Sequence, residues 1–323
     1  MISKRQYKIL SFFLTRSLFL GGCFSLLVNI SKNAMIVSGI VGMLVGYFLL
    51  YLLYKMKGTI SNILKVFIVI SILLINTLSS SMLTSNYLLI KTPTLLILLF
   101  FYFVLWYGKN KKMEVIARVS EIVIVLSLLC YILGYIGIVP NIKISSMLPI
   151  MNSSFINVLK GIIIFVAASL LPNILLLDYK DDMRFKDVSI GYILGSISIL
   201  LIMFFILTIY GSELSSIARF PEYLILKKVN IMNYITNLEN VLVMEWIVNI
   251  LMCCLFSIKV LYKSLRKVKS LFYVIVISII VLCEMFLFKN YQYVLFIKNY
   301  IYYICFVLVI LSLIFRKKKT TIE

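Results

Sequence analysis

Glu121, Glu245 and Glu284 lie inside long apolar runs, and Glu239 opens one of them in the stretch NYITNLENVLVMEW, residues 233–246. Arg16, Lys65, Arg118, Lys160 and Lys259 are the basic residues in similar settings. An ionisable group inside a membrane is costly to hold, so each is a candidate proton carrier, ligand counter-charge or coupling site. Glu239 and Glu245 cannot act as one acid dyad, because six residues along a helix turn the second about 240° from the first. Glu239 has a local role instead. Thr236-x-x-Glu239 reads as a capping box, and an acid suits the positive end of a helix. Glu245 is then the main candidate for an intramembrane charge. Arg118 and Glu121 are three apart on one helical face, which fits an intrahelical ion pair as well as a coupling site. Glu284, near Lys289 at the edge of its run, reads as structural.

A second set of polar groups sits at helix-breaking residues. SLFLGGCFSLL contains Gly21-Gly22 followed by Cys23, and FVAASLLPNILLL contains Ser169, Pro172 and Asn173. Breaks in corresponding spans of two halves point to discontinuous helices around a midplane binding site, where freed backbone groups meet a ligand. Glycine pairs also serve close helix packing, so both readings stand. INTLSSSMLTSNY carries Thr77 and Ser81 on one face, either lining a substrate path or packing against neighbouring helices.

The elements that must position these groups are membrane helices. The chain is 63% hydrophobic and 14% charged, with a mean hydropathy of +1.08, far from the composition of a water-soluble domain. The pattern predicts an all-α polytopic fold of ten spans, near residues 9–31, 34–54, 66–90, 93–108, 114–138, 156–177, 188–212, 240–262, 271–288 and 298–315. The N-terminal run reads as the first span, because it is too long for a signal peptide and contains Arg16. Lys and Arg crowd alternate loops, from Lys4, Arg5 and Lys8 to Arg316–Lys319, which predicts cytoplasmic N- and C-termini. The net charge of +20 is spread in these small groups, which fits anionic membrane lipid and not nucleic acid. The whole chain, 1–323, forms one transmembrane domain, with repeat one near 9–138, an inverted repeat two near 156–315, and a lid-like outer loop over 211–239. With no histidine among 323 residues, zinc sites and histidine-based triads are excluded. All six cysteines fall in apolar runs, as reduced packing residues. No nucleophile or phosphate-binding loop is present, so no catalytic residue, metal or cofactor is expected.

Order and spacing of several stretches resemble the B subunits of spore germinant receptors. Phe220-Pro221, followed by Glu239 and Trp246 seven residues later, is similar to that family's proline and "ErlEal" stretch, with Thr236 replacing the first glutamate. KNKKMEVIARVSEIVIVL, residues 109–126, resembles the start of its fifth span, with Arg118 and Glu121 in place. PNIKISSMLPIMNSSFINVLKG, residues 140–161, resembles its outer loop. This chain departs from the family at the breaks: the span-one glycines are adjacent with no proline after them, and span six lacks Gly-x-Glu.

The resemblance implies the amino acid–polyamine–organocation transporter fold, with ten spans in a five-plus-five inverted repeat. It also implies a non-enzymatic role in the inner membrane of a spore. There the chain would recognise a small nutrient such as an amino acid, together with A and C receptor subunits. Candidate ligand groups are Gly21, Gly22, Cys23, Ser169, Pro172, Asn173, Thr77 and Ser81; candidate charges are Glu245, Glu121 and Arg118. Two alternatives remain: a proton-coupled amino-acid permease, and a degenerate paralogue that only scaffolds the receptor.

Overall fold

A computed structural model gives the structure of the protein and describes residues 2–20, 22–56, 59–177, 179, 184–229, 239–264, 281–282, 286 and 291–317. The first predicted span is two helices, α1 (Lys4–Ser17) and α2 (Cys23–Ser31). α1 begins at a reciprocal cap, in which the Ser3 hydroxyl accepts the Gln6 backbone N–H at 3.2 Å and the Gln6 side-chain Oε1 accepts the Ser3 N–H at 2.9 Å. It ends where the Phe19 and Leu20 N–H groups both fold back to the Arg16 carbonyl. Gly22 then takes φ 115°, a left-handed conformation that glycine adopts without a Cβ penalty.

The remaining helices follow the apolar runs: α3 (Met35–Lys55), α4 (Asn62–Leu83), α5 (Thr94–Gly108), α6 (Met113–Ile138), α7 (Phe155–Leu176), α8 (Phe185–Ile217), α9 (Pro221–Leu226), α10 (Glu239–Ser264) and α11 (Tyr291–Ile314). A five-residue π turn, Thr84–Leu88, extends α4. α8 bends at Gly211, whose φ of 70° breaks the helix close to the predicted end of span seven. The predicted ninth span lies almost wholly outside the described residues.

Among the described residues, six stretches are long and apolar enough to cross a membrane: Cys23–Lys55, Asn62–Leu88, Met113–Asn141, Phe155–Leu176, Phe185–Ile217 and Glu239–Lys263. The first of these joins α2 and α3 through a short 3₁₀ turn, Lys32–Ala34, where Lys32 takes φ 48°. α5 and the Tyr300–Ile314 part of α11 are shorter apolar helices. The protein is therefore a multi-pass helical membrane protein. Its outward aliphatic and aromatic side chains, such as Leu44, Phe100, Ile122 and Leu129, are those a lipid-facing surface requires.

α1 is the central helix, packed against α8, α7, α10 and α6. It approaches α8 closely because a Cβ on Gly191 would collide with the Lys8 carbonyl, and one on Gly195 would lie 2.9 Å from the Thr15 Cβ. Polar contacts near the helix ends tie neighbouring elements together. Lys8 pairs with Asp187 at 3.8 Å, and the Lys259 ammonium donates to the Lys109 carbonyl at 3.0 Å. A two-residue antiparallel bridge links Thr59–Ile60 to Arg316–Lys317. At the opposite end the Asn33 amide donates to the Pro149 carbonyl at 3.1 Å, and that of Asn141 to the Lys228 carbonyl at 2.9 Å.

α7 corrects an expectation. It runs unbroken through Pro172, so the second predicted discontinuity is absent. The carbonyl freed by proline's missing N–H belongs to Ala168, one turn back. The Asn173 side-chain amide reinforces the same turn by donating to the Ser169 carbonyl at 2.9 Å. Around the proline the helix is also sheathed on all sides, with every residue from Ile164 to Leu176 buried.

Candidate functional site around Arg16 and Glu245

Arg16 occupies the last turn of α1 and is wholly enclosed, with no exposed side-chain surface. Its guanidinium lies over the ring of Tyr131 on α6, 4.2 Å from the centroid, and 5.0 Å from that of Phe12. One nitrogen, Nη1, is 3.8 Å from the Glu245 Oε1 on α10. The other carboxylate oxygen, Oε2, accepts a hydrogen bond from the Tyr131 hydroxyl. Three helices thus meet through one cation, one anion and one phenol in the apolar core.

The geometry is incomplete in an informative way. Among the described residues, none of the three guanidinium nitrogens has a hydrogen-bond partner, and neither does the Glu245 Oε1. The ion pair compensates charge, but at 3.8 Å it is longer than a hydrogen bond. Desolvating such a pair costs several kcal/mol per ion, and its attraction offsets that cost fully only when the remaining donors are satisfied. A contact of this kind responds to any change in helix spacing, because a small shift either closes the hydrogen bonds or separates the charges.

Beside it, α6, α8, α9 and α10 line a cavity of about 30 Å³ whose walls include Tyr131, Tyr135, Phe205, Trp246 and Glu222. Glu222 is 1% exposed and comes from α9, within the segment predicted to be a lid. α9 is inserted among α8, α10, α6 and α2, and Pro221 at its first turn starts the helix without losing a backbone bond. Residues 230–238 of the predicted lid lie outside the described residues.

The other predicted site residues are distributed as follows. Gly21 lies outside the described residues, as do Thr236 and Glu284. Gly22 forms the left-handed N-cap of α2, and Cys23 begins that helix as a buried core residue. Asn173 faces α1: its oxygen accepts from the Ser11 hydroxyl and its amide donates to the Thr15 hydroxyl, both at 2.9 Å. Ser169 sits one turn earlier, 3.1 Å from the Tyr192 hydroxyl. Pro172 is packed between them in the same buried helix. Ser169 and Asn173 therefore bind α8 and α1, and α7 does not open a backbone site there.

Thr77 and Ser81 form a separate group. Their hydroxyls donate to the carbonyls of Leu73 and Thr77 at 2.6 and 2.7 Å, within their own helix. The packing reading of the stripe is the one these bonds favour. The Arg118–Glu121 ion pair is absent. Arg118 is exposed, while Glu121 turns to α1, accepting from the Gln6 amide at 3.1 Å and lying 3.9 Å from the Arg5 guanidinium. Both partners are residues that the i,i+3 spacing could not reveal.

Four side chains of the candidate site bear on what spacing alone can reveal. Arg16 and Glu245 are both conspicuous as embedded charges, yet their pairing depends on how α1 and α10 are rotated and staggered. Tyr131 carries no sequence signal among 21 tyrosines. Glu222 has one, since an acid directly after Phe220-Pro221 within an apolar stretch is unusual enough to be noticed.

No curated protein matches the chain. A sequence model of the spore permease family, described as spore germination protein, matches residues 59–294, which takes in α4 to α10 and every side chain of the charged contact except Arg16. This match spans most of the chain and agrees with the helical membrane architecture, and the protein belongs to that family of spore germination proteins.

Proposed function

We propose that the protein is the membrane subunit of a spore germinant receptor, recognising a small nutrient of the amino-acid class and passing the event to A and C partner subunits. In this reading it sits in the inner spore membrane with both termini cytoplasmic. Its ten spans form a five-plus-five inverted repeat, in which the sixth span lacks the interruption seen in the first. The observation that carries the reading is the α1–α2 interruption, one turn from a buried Arg16–Glu245 contact whose donors and acceptors are unsatisfied. A ligand that changes the tilt of α1 against α10 alters that contact, so differential affinity for two helix arrangements becomes a signal.

The Glu245 carboxylate, held by the Tyr131 hydroxyl and facing a guanidinium, also favours a second reading, a proton-coupled amino-acid permease. Reconstitution separates the two. Purified protein in liposomes is expected to bind labelled amino acid without accumulating it, and spores lacking the chain are expected to lose a nutrient response. Uphill, proton-driven accumulation together with normal germination of the deletion strain would establish the permease instead.

A further inference from the structure

The cavity between α6, α8, α9 and α10 has a wall composition that ordinary core packing does not require. Tyr131, Tyr135 and Phe205 form a continuous aromatic surface, with ring centroids 6.1 Å apart for the first pair and 5.3 Å for the second. Trp246 closes the box, and Glu222 is the acid on its lining, which includes no basic side chain. Aromatic faces present negative charge density to a cation, and a carboxylate at their edge supplies the counter-charge. We propose that this cavity is a recognition box for a primary ammonium group. The proposal rests on the receptor reading above and narrows it, since it names which end of a small nutrient is read.

Size restricts the ligand. The cavity is small, about 30 Å³, so it suits an ammonium head with little carbon attached. Aliphatic bulk must lie toward its apolar wall, formed by Ile225, Leu226 and Leu242. Because Glu222 rides on the short helix α9, filling the box also fixes that helix against α6 and α10. The Arg16 guanidinium lies over the Tyr131 ring, and Glu245 balances its charge.

The test uses the full chain in detergent, with Trp106→Phe leaving Trp246 as the one remaining tryptophan of two. Methylammonium and glycine are titrated against its emission, with acetate and ethanol as charge controls. A saturable shift is expected with methylammonium, none with the controls, and about tenfold weaker binding in Glu222→Gln. Glycine acting as well identifies an amino-acid ammonium; methylammonium acting alone identifies a simple amine, and either supports the box. Tyr135→Phe keeps the ring and is expected to keep binding, whereas Tyr135→Leu weakens it. This pair tests the box even if Glu222→Gln does not fold.

Absence of any response to methylammonium overturns the proposal. So does an equal response to acetate, or binding unchanged in both Glu222→Gln and Tyr135→Leu. Failure of the receptor reading looks different. Spores lacking the chain would then germinate normally on every amino acid while the purified protein still bound methylammonium.

Discussion

The hydroxyls of α4 and the charged groups shared by α1 and α10 are handled in opposite ways. On α4, Thr77, Ser81 and Thr84 each donate to a carbonyl one turn back, at 2.6–2.7 Å. Each of these hydroxyls is satisfied within its own helix, although that of Thr77 also lies 3.4 Å from the Tyr102 hydroxyl on α5, and together they form a small packing surface. Arg16 and Glu245 cannot be satisfied within their own helices. They depend on groups brought from other helices, and the fit leaves nitrogens and an oxygen without hydrogen bonds. Self-contained polarity makes a helix easy to pack, whereas polarity that needs a second helix makes the relative position of the two helices an energetic variable. Only the second kind can report a conformational change.

Substitution tests this contrast most strongly at the ion pair. Arg16→Ala or Glu245→Ala strands a buried charge and is expected to cost about 3–5 kcal/mol, seen as a large fall in the unfolding temperature of the detergent-solubilised protein. Tyr131→Phe removes the phenol that holds the carboxylate and should cost about 1.5–3 kcal/mol, the usual range for a hydrogen bond to a charged group. Asn173→Ala breaks the links from α7 to Ser11 and Thr15 and leaves their hydroxyls with fewer partners, at about 1–2 kcal/mol in the same assay. Thr77→Val is expected to change stability by no more than about 0.6 kcal/mol. A larger effect at Thr77 than at Tyr131 would reverse the comparison.

Much of the fold is legible in the sequence because it follows from one-dimensional information. An apolar run flanked by Lys and Arg defines a span whatever it packs against, and the observed bounds of α3, α5, α6 and α10 fall close to those expected. The interruption at Gly22 is local as well, since a glycine pair inside an apolar run is where a left-handed residue can be accommodated. Pro172 misled for a related reason. Proline removes one donor, but whether the helix opens depends on what surrounds it, here Asn173 bonded to α1 and a run from Ile164 to Leu176 that is buried throughout.

The site was legible only in part. Glu245 stands out because an acid in an apolar run is rare. Its partner Arg16 lies more than two hundred positions earlier in the chain, and only the packing of α1 against α10 brings the two together. Glu121 shows the same limit, since its neighbour at i−3 is exposed while its real partners, Gln6 and Arg5, come from α1.

The most direct test replaces both charges at once with Arg16→Met and Glu245→Leu. Exchanging a buried ion pair for apolar side chains of similar size is often neutral or stabilising, so the double variant should reach the spore membrane at normal levels. If the contact exists to signal, those spores will be blind to the nutrient that wild-type spores answer. Normal germination in spores holding normal amounts of the double variant would show instead that the Arg16–Glu245 contact is structural, and would contradict the account.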